Sequence, residues 1–201
     1  MKERPILFST PMVQAILAGN KTMTRRVIKP QPTLVSGDAL GQPYIYFNGN
    51  PNPVKCPCGV PGDRLWVRET WRCIDYYGET ATIYFPSTNE QFLLSGITKT
   101  EVNLLIGSIG KTMPSIFMPR WASRITLEIT NIRVERVQQI THEDAISEGA
   151  RFMPAADLRV ERLTVPQIVF AGYWDSIHAK RGYGWDVNPW VWVIEFKIAQ
   201  S

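Results

Sequence analysis

Five residues able to do chemistry crowd into one turn, Lys21-Thr22-Met23-Thr24-Arg25-Arg26. Lys21 and Thr24 stand three apart, so they share a side if the chain keeps a helix-like turn between them, and face opposite ways if it is a strand. An amine that loses solvent in a pocket also loses proton affinity, and a neutral amine beside a threonine hydroxyl activates that hydroxyl as a nucleophile. The ordinary alternative makes Lys21 a solvated charge near a helix C-terminus and Thr24 a strand residue. On spacing alone this alternative is the stronger.

A second group lies in Arg64 to Asp75, where strand alternation sets Leu65, Val67, Glu69, Trp71 and Cys73 on one face. Arg64, Trp66, Arg68, Thr70 and Arg72 take the other. Glu69 is the one charge on an apolar face, so it must find a cation or hydrogen-bond donors, and a structural ion pair with an arginine competes with any role in a site. The opposite face interleaves arginine with tryptophan, which suits stacking on bases and contact with phosphate.

The elements that must carry these residues are legible in part. Pro5 to Ser9 reads as a strand, and Thr10-Pro11 as an N-cap with proline opening a helix that buries Val13, Ile16 and Leu17. Gly19 and Asn20 end that helix just before Lys21, and Thr24 to Ile28 runs extended. Residues 33 to 61, rich in Gly, Pro and Asn, read as a long loop or insertion. Thr80 to Phe85 is a strand. Arg124 to Val137 is a longer one whose apolar parity switches between Ile129 and Ile132, which predicts a bulge near Asn131. Thr141 caps a short helix to Ser147, with Asp144 at the third helical position and Gly149 as its stop. Thr164 with Gln167 opens a helix to about Lys180 that buries some of Val165, Ile168, Val169, Tyr173, Trp174 and Ile177. In the closing strand Trp190, Trp192, Ile194 and Phe196 face one way.

A chain of 201 residues, 44% hydrophobic, is long enough to bury a core as one domain. No apolar run approaches the roughly 20 residues of a bilayer span, and the N-terminus lacks a signal peptide's apolar middle, so the expected setting is the cytoplasm, away from membranes. The three cysteines, Cys56, Cys58 and Cys73, lack disulfide-framework and zinc-finger spacing, even with His142 or His178 added, and no metal or cofactor is expected. The net charge is +4, and the first thirty residues carry six basic groups against Glu3 alone, which points to an anionic or nucleotide partner. Phosphate-binding Gly-rich loops, nucleophile elbows and His-Glu-x-x-His pairs are missing. The alternation of strands and short helices predicts an α/β (α+β) fold, a small curled sheet or barrel with helices at its ends.

Ile16-Leu17-Ala18-Gly19-Asn20-Lys21-Thr22-Met23-Thr24-Arg25, Gly62-Asp63-Arg64-Leu65-Trp66-Val67 and the closing Val191-Trp192-Val193-Ile194-Glu195-Phe196 together resemble the ASCH family of PUA-like β-barrel proteins, in particular its prophage-encoded branch. The resemblance covers residues 5 to 28, 62 to 75, 124 to 149 and the last strand, and implies a single ASCH-like domain, 1–201, with insertions at about 29–61, 76–120 and 151–188. Some small ASCH proteins are amidohydrolases that remove the acyl group from N4-acetylcytidine with a lysine, a threonine and a downstream glutamate. By that resemblance these are Lys21, Thr24 and Glu148, the last because Thr141-His142-Glu143-Asp144-Ala145-Ile146-Ser147-Glu148 matches the segment leading to the glutamate. Arg25, Arg26, Arg64, Trp66, Arg68 and Glu69 are then the candidate substrate-binding residues. The expected partner is a small-molecule nucleoside, with no obligate protein partner. The competing reading is an RNA-binding, or RNA-cleaving, module that uses Arg25, Arg26, Arg64, Trp66, Arg68 and Arg72. A structural role in a phage is a third reading, which no residue supports.

Overall fold

The computed structural model describes residues 1–37, 43–46, 54–98, 100–101, 109–150 and 164–199. Strand β1 (Glu3–Leu7) leads into helix α1 (Thr10–Leu17), which has Ser9 as N-cap and buries Met12, Val13, Ala15 and Ile16, while Leu17 stays exposed. Proline in the first turn costs nothing there, because its missing N–H would have had no partner. Strand β2 (Met23–Val27) follows, and β3 (Leu34–Gly37) pairs with β4 (Pro43–Tyr46) as an antiparallel hairpin. The expected long loop therefore holds a hairpin. Its residues 38–42 and 47–53 lie outside the described residues, as do 99, 102–108 and 151–163 of the two later expected insertions.

Arg64 to Asp75 is where structure and alternation part. It breaks at Glu69-Thr70 into β5 (Arg64–Arg68) and β6 (Trp71–Tyr77), which belong to different sheets. Leu65, Val67, Glu69, Trp71 and Cys73 are all buried, as the pattern predicts, but in two separate cores. Strands β7 (Thr80–Phe85), β8 (Glu90–Ser95) and β9 (Thr112–Met113) complete an antiparallel four-stranded sheet in the order β8-β7-β6-β9. The first sheet has five strands, β1-β5-β10-β11-β2, where β10 is Thr126–Arg136 and β11 is Trp190–Ile198. Only the β1–β5 pair is parallel. Asp63, in the turn before β5, accepts hydrogen bonds from the Lys2 backbone (2.7 Å) and from Arg4 (2.8 Å), which pins β1 beside β5.

The β10–β11 register shifts between Ile129 and Asn131, and the extra residue turns Ile132 inward after Leu127 and Ile129. In β11, Val191 and Val193 are buried as well as Trp192, Ile194 and Phe196, so both faces of this central strand are covered, not one. Helix α2 (His142–Ser147) carries the expected cap, with the Asp144 N–H donating to the Thr141 hydroxyl. Helix α3 (Val165–His178) opens on the Thr164/Gln167 capping box, yet it buries Phe170, Ala171 and Trp174 and leaves Val165 73% exposed. Of the expected positions, Trp174 is buried and Val169 and Tyr173 pack against the core, while Phe170, which packs on Trp174 and Trp185, and Ala171 complete the inner face. Among the described residues no helix is long and apolar enough to cross a membrane.

Candidate active site

Two helix ends meet at Lys21 and Glu148. Helix α1 closes with Gly19 at φ 72°, a left-handed conformation open to glycine, and the Asn20 and Lys21 N–H groups both donate to the Ala15 carbonyl (2.8 and 3.1 Å). Helix α2 ends on Glu148, followed by Gly149 at φ 82°. The two ends are zipped by an antiparallel bridge between Lys21 and Glu148 and by the Thr22 N–H donating to the Ser147 carbonyl (2.9 Å). Gly149 allows the approach, since a Cβ there would sit 3.1 Å from the Ala15 Cβ and 3.4 Å from that of Lys21.

Backbone pairing delivers the side chains. Lys21 Nζ donates to Glu148 Oε2 and to the Glu148 carbonyl, each at 2.8 Å, with Lys21 and Glu148 both 3% exposed. Arg25, 4% exposed, donates from Nη1 to Glu148 Oε1 (3.3 Å) and from Nη2 to Asp144 Oδ2 (2.6 Å) and Glu135 Oε2 (3.1 Å). Arg133 extends the network to Asp144 (2.8 Å), Glu135 and Glu195. Burial is the largest influence on Lys21 and holds its ammonium below the ordinary lysine range; the attraction and hydrogen bond of Glu148 oppose this, while Arg26 and Arg25 add to it. Arg25 matters here because it shares the Glu148 carboxylate, so that carboxylate is not devoted to keeping Lys21 charged.

Lys21, Thr24, Arg25, Arg26 and Glu148 line one cavity of about 330 Å³, at the small end of the roughly 300–1,000 Å³ typical of ligand sites. Thr24 reaches it from β2 and is 5% exposed. Phe8 and Phe170 supply apolar wall, and Tyr173, Trp174, His178 and Arg181 come from α3 and the turn after it. Sequence reasoning missed this second wall because it placed residues 151 to 188 in an insertion; the aromatic pair Tyr173-Trp174, set beside an exposed-looking His178 and Arg181, was the available signal. It also missed the carboxylates of Asp144 and Glu135, since Asp144 was legible only as a capping residue.

The other candidates lie elsewhere. Arg64, Trp66 and Arg68 are on β5, outside the cavity lining, with the Arg68 guanidinium 4.7 Å from the Trp66 ring centroid. Glu69, 2% exposed, is also outside the lining and accepts hydrogen bonds from Arg124 (2.9 and 3.2 Å) and from the Ser87 hydroxyl. Arg124 in turn stacks over Phe85, 4.1 Å from its centroid. This is the structural ion pair, placed where the chain passes from one sheet to the other. Glu69→Ala removes the buried partner of Arg124 and leaves its guanidinium only the exposed Glu90 carboxylate (2.8 Å) and the Ser87 hydroxyl (3.1 Å), so we expect a loss of about 3 kcal/mol in urea unfolding; a loss below about 1 kcal/mol is incompatible with that role. Cys56, Cys58 and Cys73 are free thiols, and Cys58 is brought down to about 7, first by a hydrogen bond with Cys56 and then by Arg26 and Arg4, against the effect of burial.

Fold and site together define a two-sheet α/β protein with a buried Lys-Glu-Arg cluster at the base of an aromatic-walled cavity. Comparison with protein-family models, curated proteins and solved structures gives no match to this chain.

Proposed function

We propose that this protein is an amidohydrolase that removes the acyl group from N4-acetylcytidine or a related N4-acylated cytosine nucleoside. The observation that carries the reading is a desolvated lysine, shared with a carboxylate that an arginine also holds, in the same small cavity as a buried threonine. A lysine in such a place is set up as a base rather than as a surface charge. We read the five-stranded sheet as the curled, PUA-like core of the ASCH type, with the site at the junction of α1, β2 and α2.

Thr24 Oγ attacks the acyl carbonyl carbon while its proton passes to the neutral Lys21 amine. The new ammonium lies beside the developing oxyanion and then gives its proton to N4 of the base as the C–N bond breaks, which frees cytidine and leaves the acyl group as an ester on Thr24. Water, deprotonated by Lys21, cleaves that ester to the carboxylic acid and restores Thr24. Glu148 orients Lys21, and Arg25 holds Glu148 in place and tempers its pull on the amine. The chemistry calls for water alone and no cofactor. Phe8, Phe170 and Tyr173 offer flat apolar surface for a pyrimidine.

The direct test is incubation of purified protein with N4-acetylcytidine, with cytidine and acetate measured separately. Equimolar release of both is the expected result. Failure on the acetyl, propionyl and benzoyl substrates alike sinks the assignment.

A further inference from the structure

Away from Lys21, Arg25 and Glu148 the chemistry of the cavity lining changes. Arg26, His178 and Arg181 belong to that lining, and among the described residues neither arginine has a carboxylate within ion-pair distance. The contrast with Arg25 is sharp, since that neighbouring arginine is held by three carboxylates. Arg26 Nη2 donates to the Leu7 carbonyl (2.7 Å), but its buried Nε and the buried His178 Nδ1 have no partner. The one carboxylate in the lining, Glu148, is already bonded to Lys21 and Arg25. The acidic neighbours of Arg26 besides Glu148 are the Cys58 thiol and the Tyr173 phenol.

The charge is therefore unbalanced on this side. His178 lies in the last turn of α3, where the helix carbonyls favour a cation, yet it is pushed down to about 4 by burial first and then by Arg181, Arg26 and Lys29. It is neutral at pH 7, and its buried Nδ1 has no partner. The half-buried Arg26 and His178 and the exposed Arg181 share one cavity lining, and two guanidinium forks with an imidazole are a donor set for a tetrahedral oxyanion.

We propose that Arg26, His178 and Arg181 form an anion subsite that takes a phosphate ester of the substrate, so that the protein acts on acylated cytosine nucleotides in preference to the free nucleoside. This rests on the hydrolase reading of Lys21 and Thr24 for the substrate's base, but the subsite stands on its own residues. The phosphate can belong to a mononucleotide or to an RNA strand, and both present the same oxyanion.

Two measurements test it. The first compares kcat/KM for N4-acetylcytidine, its 5′- and 3′-monophosphates and a short RNA bearing one acetylated cytidine, in wild type and Arg181→Ala. Phosphate is expected to raise kcat/KM about tenfold or more, and Arg181→Ala to bring that ratio back toward one. The second follows the ring resonances of His178, distinguished from the only other histidine by a His142→Gln variant, during titration with cytidine 5′-monophosphate and with a short unmodified RNA. An anion that offsets the surrounding cations raises the His178 pKa from about 4, and the affinity falls with salt. A response to the mononucleotide assigns the subsite to free nucleotides, and a response to RNA alone assigns it to a strand. Turnover of the nucleoside with neither a phosphate advantage nor a His178 shift overturns the subsite and leaves the hydrolase. A His178 shift without turnover of any substrate upholds the subsite and overturns the hydrolase.

Discussion

Lys21→Met and Thr24→Val each lower kcat/KM for the acylated nucleoside by about a thousandfold or more, and the double variant is hardly worse than either alone, because a base and its nucleophile act as a unit. Both variants should stay folded. Lys21→Met leaves Glu148 bonded to Arg25, so no buried carboxylate is orphaned, and Thr24→Val keeps the shape of a buried strand residue. The pH profile carries the sharper statement. In the proposed mechanism the reactive form of Lys21 is the neutral amine, so wild-type kcat/KM is expected to be low in acid, to rise with pH up to the Lys21 pKa and to level above it. Burial places that rise below the ordinary lysine value of 10.5. A Lys21→Met enzyme retaining a tenth of wild-type activity would remove lysine from the chemistry, whatever its fold.

Arg25→Met gives the second large effect, and it has two parts. Removing a guanidinium that bonds Glu148, Asp144 and Glu135 leaves three carboxylates facing one another with only Lys21 and Arg133 to answer them, at a cost of about 3–5 kcal/mol. Urea unfolding reads that loss. The other part is electrostatic, since Arg25 lowers the Lys21 pKa by its own charge and by sharing Glu148. Without it the ammonium is favoured, so the rising limb of kcat/KM moves to higher pH. An unchanged pH profile in a folded Arg25→Met protein would make the arginine a scaffold alone.

Much of the local structure was legible because it obeys local rules. The bulge in β10 follows from a change of parity between Ile129 and Ile132 that no regular strand can bury. The cap of α2 and the capping box of α3 are short-range hydrogen bonds between residues three apart, visible in any listing of the chain. The break in Arg64 to Asp75 was not legible. Alternation reports which side chains go inward but not into which of two cores, and the chain changes sheets at Glu69 without missing a beat in the pattern. The inner face of α3 was legible in part: Val169, Tyr173 and Trp174 stood among its candidates, but an apolar helix offers several stripes, and Ala171 and Phe170, the latter packed on Trp185, were not picked out.

The candidate site divides in the same way. By itself the sequence determined a basic turn placed just after a helix end, a capped short helix ending in Glu148-Gly149, and an excess of positive charge near the N-terminus. Spacing could not join the first to the second, which lie 127 residues apart; the family resemblance suggested Glu148, and the backbone bridge sets it beside Lys21. Only the tertiary structure decided that Glu69 pairs with Arg124, that Arg25 is spent on carboxylates while Arg26 is not, and that α3 closes the cavity with His178 and Arg181. The physical reason is that burial and charge pairing depend on which surfaces meet. A lysine becomes a base, and an arginine an anion site, through neighbours that sequence order does not name.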